Sequence, residues 1–151
     1  MNISIFIHIF AFFTLLAFYD HALAEDKEAP PKTDIEYENI GYENFNKIVL
    51  SSSARGEDWT ADPVFVSLKF IRPSEGMTQT IERTYDNPES PKTAQVIITN
   101  EKLLDDSVMG LRYKLVLNRN ENGSWVIESS GKAIKCWKGR GHDNYSKEPC
   151  D

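Results

Sequence analysis

The segment Cys136-Trp137-Lys138-Gly139-Arg140-Gly141-His142-Asp143-Asn144-Tyr145-Ser146-Lys147-Glu148-Pro149-Cys150 is the densest chemistry in this chain. It holds both of the 2 cysteines, a histidine, and an arginine between two glycines. Three kinds of site use such residues. A Cys136 thiol with His142 as its base would be a nucleophile. Cysteines and histidine together would ligate zinc, which takes about four N or S ligands. Two cysteines flanking a polar loop would form a disulfide, and closing a loop of this size contributes ~3 kcal/mol by restricting the unfolded chain.

The compartment separates these readings. Ile3 to Phe18 is apolar and uncharged, and Ala22-Leu23-Ala24 follows it. That pattern reads as a secretory signal peptide over 1–24, cleaved before Glu25, although no Lys or Arg precedes the apolar run. The run is shorter than the about 20 residues of a membrane span. The expected location is therefore periplasmic or secreted, with no stable membrane insertion after cleavage. Cysteines in an oxidising compartment pair, so Cys136–Cys150 is expected as a disulfide and thiol catalysis recedes. Once 1–24 is removed, His142 is the histidine that remains, which is too few for zinc. Asp105-Asp106 lacks the alternating oxygens and glycine turn of a calcium loop. No metal and no cofactor are expected, and no catalytic motif stands out.

The stapled loop then reads as a recognition element. Gly139 and Gly141 permit close backbone approach, and Arg140 presents a guanidinium to an anion. Lys135, Lys138 and His142 add positive potential. The candidate ligand-binding residues are Arg140, His142, Lys138 and Lys135, and the partner is an anionic small molecule or an envelope or protein partner. The competing reading makes the bridge a staple for the tail, with Arg140 paired to a nearby acid such as Asp143.

Composition excludes more than it identifies. The 151 residues carry a net charge of -6. Much of it lies in Glu25, Asp26, Glu28, Asp34, Glu36, Glu38 and Glu43, while the chain beyond is balanced. No basic stripe of the kind nucleic acid requires is present. Residues 25–38, with Pro30-Pro31 and few apolar side chains, are expected to be a flexible acidic leader. Residues 39–151 suffice for a single globular domain, monomeric or weakly dimeric.

The elements that must position the loop follow from periodicity. Tyr42, Phe45, Ile48 and Val49 recur on one helix face, closed by Ser51-Ser52-Ser53 and Gly56. Asp62-Pro63 starts a second helix carrying Phe65, Leu68 and Ile71; Val64 to Phe70 also fits a strand period, and the Asp-Pro start favours helix. Pro73 ends that segment. Strands are expected over Met77–Tyr85, around Val96-Ile97-Ile98, through Tyr113, Leu115 and Leu117, and from Trp125 and Ile127, with Ser129 on the same face, toward Cys136. Asp86 to Pro91 and Asp105-Asp106-Ser107 are turns, and Asn122-Gly123 marks a hairpin. Trp125 is assigned to the core, and Trp137 to a cover over the disulfide.

This layout is α+β: N-terminal helices packed on a four-stranded antiparallel sheet. The element order over residues 40–135 resembles the cystatin-like cone of ketosteroid isomerase and scytalone dehydratase. In such a cone an enzyme would need a base in the cavity, for which Tyr42 or Tyr113 with Arg112 are the candidates. Asp105-Asp106-Ser107-Val108 with Arg112-Tyr113, then Cys136, Gly139-Arg140-Gly141-His142 and Cys150, is similar to small exported bacterial proteins of unknown function. The functional expectation is an exported, non-enzymatic binding module. The alternatives are a small hydrolase or isomerase, and a secreted inhibitor acting through the disulfide loop. Cleavage after Ala24 predicts that the intact mass of protein recovered from the medium or envelope begins at Glu25; a mass retaining 1–24 would refute the signal peptide.

Overall fold

The computed structural model describes residues 34–72 and 76–151. The expected signal peptide, the first part of the leader and Pro73 lie outside them. The described elements run in the order β1 (Glu38–Asn39), α1 (Glu43–Ala54), a 3-10 turn (Asp58–Ala61), α2 (Pro63–Ile71), β2 (Gly76–Tyr85), β3 (Thr93–Leu103), β4 (Val108–Arg119) and β5 (Trp125–Cys136). The strands form one antiparallel sheet of five, ordered β1-β5-β4-β3-β2. The α+β layering is as expected, but the sheet has five strands instead of four. The added strand is two residues long and polar, so it carries no periodicity signal.

Both helices cover one face. Ala94, Val96 and Ile98 of β3 and Leu115 and Leu117 of β4 alternate onto that face, where Val49 of α1 and Val66 of α2 bury them. Trp125 and Ile127 join this core, each 2% exposed. Asp62 caps α2 by accepting the N–H groups of Val64 and Phe65 at 2.7 and 3.4 Å, with Pro63 in the first turn. The helical reading of this segment holds, because a cap side chain satisfies donors that a strand would not present. Its inward face is partly the expected one: Leu68 and Ile71 pack against the core, but Val66, Ser67 and Pro63 are the buried residues and Phe65 is exposed. In α1, Ile48 is likewise exposed, and Ser51, Ser52 and Ser53 lie within the helix. Gly56, at φ 75°, follows the last turn.

Two bulges reset the alternation of β5 against β4. Val116 pairs with Ser129 but Leu117 pairs with Ile127, so Glu128 is left over. The extra residue lets Trp125 and Ile127 share the core face with Ser130, and sends Ser129 to the other face. This corrects the assignment of Ser129 to the Trp125 face: strict alternation fails across a bulge. At the far end Val108 pairs with Cys136 and Gly110 with Lys135, leaving Met109 unpaired.

The outer edge of β5 is closed along its length. The side-chain amide of Asn46 donates to the Ile127 carbonyl at 2.7 Å and accepts its N–H at 2.9 Å, standing in for a strand. Ile40 exchanges backbone and side-chain bonds with Ser130, β1 pairs at Gly131 and Lys132, and Ser146 bridges Ile134.

The helix-free face receives the two chain ends. A methyl group at Gly131 would lie 2.7 Å from Cβ of Tyr37, and one at Gly110 would lie 2.7 Å from Oη of Tyr145. Lys147 pairs with Glu36 at 3.0 Å, joining the two segments. The residues from Asp34 to Glu38, within the stretch expected as leader, thus meet β5 through Tyr37 and Glu38. Both glycines exist because a tyrosine needs their space. Overpacking at such a site typically costs about 1–3 kcal/mol. Gly131→Ala meets the root of a side chain, whereas Gly110→Ala meets the tip of one that can swing away. Denaturant titration should therefore find Gly131→Ala the more destabilised of the two; the reverse order would contradict this packing.

Candidate functional site

The expected disulfide is present: Cys136 and Cys150 are bonded, with Cα atoms 5.6 Å apart. Cys136 is buried at the end of β5, and the loop leaves from there. Gly139 and Gly141 take φ values of 81° and 131°, as the close turn requires. Cβ at Gly141 would come within 3.0 Å of the Cys136 sulfur, so the second glycine serves the bridge.

The four residues expected to form one surface make contacts in different places. Arg140 turns to the preceding hairpin: Nη2 donates to Ser107 Oγ at 2.9 Å and lies 4.0 Å from Asp106 Oδ2. Its acid is therefore Asp106, across the sheet end, in place of Asp143. The Arg140 carbonyl accepts the Asp151 N–H, and the Ser107 hydroxyl donates to the Asp151 carbonyl. Both ring nitrogens of His142 are engaged by carbonyls, Nδ1 with Asn144 at 2.7 Å and Nε2 with Glu148 at 2.9 Å. Lys138 is exposed at the turn. Lys135 lies in β5 and points to the helix-free face. Trp137 donates its indole N–H to the Asp105 carbonyl at 2.8 Å, which ties the loop to the same turn. The Asp105 carboxyl is held below the ordinary carboxylate range by the N–H groups of Val108 and Ser107, with help from Arg140.

One group of metal-ligating residue types occurs here: Cys136, His142 and Cys150 have ligand atoms within 4.8 Å of one another. Joined in a disulfide, the sulfurs offer no thiolate, and thiolate is the metal-binding form. The geometry is that of a staple.

The sheet instead gathers charge on its helix-free face. Register puts Arg112 beside Thr99 and Ala133, Lys114 beside Ile97 and Gly131, and Lys135 beside Gly110. Arg112 and Lys135 sit 5.8 and 5.9 Å from the Tyr145 ring centroid, and Lys114 is 6.0 Å from that of Tyr37. These are at the outer limit of cation–π attraction, about 6 Å. Tyr145 donates its hydroxyl to Glu101 Oε1 at 3.2 Å. Arg112 Nη2 stands 3.6 Å from Glu82 Oε1. The Arg112 side chain is 25% exposed, and its Nε is buried with no hydrogen-bond partner among the described residues.

Sequence reasoning placed Arg112 with Tyr113 and Tyr42 in a cavity. Adjacent strand residues point to opposite faces, so Arg112 is parted from Tyr113, which packs against the helix-side core as Tyr42 does. The alternation of Arg112, Lys114 and Val116 was visible, but Tyr145 and Tyr37 reach the same face from distant segments. Of the four candidate ligand-binding residues, Lys135 alone belongs to this face.

No family model matches the chain, and neither a curated protein nor a solved structure matches it.

Tyr145 reports on this cluster. Burial, then the Glu101 charge and hydrogen bond, push its hydroxyl well above the ordinary tyrosine range. The folded state thus holds this proton more tightly than the unfolded chain. The corresponding stability is complete below the ordinary value of about 10 and is lost as pH rises beyond it. Thermal melting between neutral and strongly alkaline pH should show a shallower alkaline loss for Tyr145→Phe than for wild type. Parallel curves would mean that Tyr145 ionises as a solvated phenol.

Proposed function

We propose that this protein is an exported, non-enzymatic binding module that takes an anionic group, carboxylate or phosphate, on the helix-free face of its sheet. The observation that carries the reading is the buried, unpartnered Nε of Arg112. Nε and Nη2 form one side of the guanidinium fork, and Nη2 is held by Glu82 only at 3.6 Å. The side chain is partly exposed, and a carboxylate or a phosphate would pair with the guanidinium once it turns outward to free Nε, taking the place of Glu82. Lys135 and Lys114 flank it, and the rings of Tyr145 and Tyr37 border the face.

Export is supported by the apolar run with Ala22-Leu23-Ala24 and by the Cys136–Cys150 bond, which suits an oxidising compartment. No helix among the described residues is long and apolar enough to cross a membrane. Two helices on one face of an antiparallel sheet support a variant of the cystatin-like cone. The interior of that cone is taken up by Val49, Val66, Ile98, Leu115 and Trp125, which favours binding at the surface over catalysis in a cavity.

The test is an NMR titration of natively processed, nitrogen-labelled protein with inorganic phosphate and with acetate. The Arg112 Nε–H resonance should shift saturably, more weakly at higher salt because the flanking lysines are screened. Arg112→Gln should remove the response while the fold is retained. Shifts confined to residues 137–144 would move the site to the disulfide loop, and the absence of any saturable shift would refute an anionic ligand.

A further inference from the structure

The two edges of the sheet are treated in opposite ways. The β5 edge is occupied by Asn46, Ile40, β1 and Ser146. The β2 edge is ten residues long, and among the described residues no strand pairs with its outer side. Every side chain from Thr78 to Thr84 is exposed. Its ladder with β3 runs without a shift from Thr78 to Tyr85. The usual protections of an edge are short length, proline, charged side chains or a bulge. Gly76-Met77-Thr78-Gln79-Thr80-Ile81-Glu82-Arg83-Thr84-Tyr85 has only the charges of Glu82 and Arg83, which are of opposite sign.

We propose that this edge is a strand-pairing site and that its occupant is a second copy of the chain, joined antiparallel across a two-fold axis at Ile81. The argument is one of register. In an antiparallel pair about such an axis, opposed residues share a face, so the choice of central residue decides every pair. Centred on Glu82, the pairing sets Glu82 against itself, which like charges disfavour. Centred on Thr80, it sets the exposed Ile81 against Gln79. Centred on Ile81, it opposes Ile81 to Ile81, Glu82 to Thr80, Arg83 to Gln79 and Thr84 to Thr78. No like charges meet in this register. The one apolar side chain in the exposed middle of the strand, 38% exposed, covers its own copy. Threonine pairs and β-branched pairs are the cross-strand contacts that stabilise such ladders. The axis stands perpendicular to the sheet, so both helix layers lie on one side and both cation-bearing faces on the other. The binding surface proposed above does not depend on this pairing, nor the pairing on it.

Sedimentation of the natively processed protein over a concentration series tests the inference. Wild type should show a reversible monomer–dimer equilibrium. Ile81→Lys alone and Ile81→Glu alone should each be monomeric, while an equimolar mixture of the two should associate, because opposite charges then face each other at the axis. Thr80→Lys should tighten the dimer by roughly three- to tenfold, since the introduced ammonium then faces Glu82 of the other copy on each side of the axis. These positions are exposed, and unchanged far-ultraviolet dichroism would verify that the variants fold. A wild type that stays monomeric throughout overturns the proposal and leaves the edge to a strand of another protein. A dimer that survives Ile81→Lys, or a mixture that does not associate, places self-association elsewhere and overturns it equally.

Discussion

The pairing of β3 with β4 fixes what every other part of this protein can do. Val96 opposite Leu115 and Ile98 opposite Tyr113 put one set of side chains toward the helices. Fully burying each Val, Leu or Ile contributes about 1.5–3 kcal/mol. A slip of one residue would turn Ala94, Val96 and Ile98 outward and bring Gln95 and Thr99 under α1 and α2, so the register is strongly specified. The same parity sends Arg112 and Lys114 to the uncovered face. Their placement follows from the core: whichever residues are not chosen for burial form the surface on which binding is proposed.

A sheet covered by helices on one side leaves a second face and two edges to be managed. This chain uses its two ends for that purpose. The segment before α1 enters along β5 through Tyr37, β1 and Ile40, and the segment after β5 returns to the same edge through Ser146. The disulfide makes the return possible, because it fixes Cys150 beside Cys136 and limits the paths open to the intervening loop. Gly110 and Gly131 are the complementary concessions in the strands, sites where a side chain is omitted so that a tyrosine can lie down. Loop side chains meanwhile bond within the fold: Arg140 to Ser107 and near Asp106, His142 to two carbonyls.

The sequence announces elements far better than their meetings. The Asp62-Pro63 start, the Asn122-Gly123 hairpin, the disulfide and the core position of Trp125 were readable because each rests on a simple signal: a cap, a turn with positive φ, the chain's two cysteines, an alternating apolar position. The edge strand Glu38–Asn39 was not readable, because its pairing serves backbone groups and leaves no trace in polarity. Nor was the bulge at Glu128, which breaks the two-residue period that the reading of Ser129 relied on. The helix faces were half legible: Val49 points inward as expected, while Ile48 and Phe65, equally apolar, do not. Periodicity alone does not say which of two adjacent apolar residues faces the sheet. The candidate site was the least legible part. Lys135 and Arg112 lie on different strands, and only the paired register of β4 and β5 joins them under Tyr145.

Displaced pKa values cluster at functional sites, and structural ion pairs and turns produce them as well. The displaced groups here have structural causes. Asp86 is lowered by the N–H groups of Thr93, Lys92 and Asn87 at the β2–β3 turn, as Asp105 is by its own turn. Glu57 is lowered by the Trp59 indole and Arg55, which hold the chain between α1 and the 3-10 turn. Tyr113 is raised by burial against the helix-side core. Each of these shifts belongs to a turn or to packing, and Lys147 is raised by its hydrogen bond and charge pairing with Glu36, which joins the two chain ends. Tyr145 is displaced on the open face by burial and then by the Glu101 charge and hydrogen bond, with Arg112 opposing the shift. The proposed binding of an anion there rests on the charges of Arg112, Lys114 and Lys135, which the paired register gathers on one face.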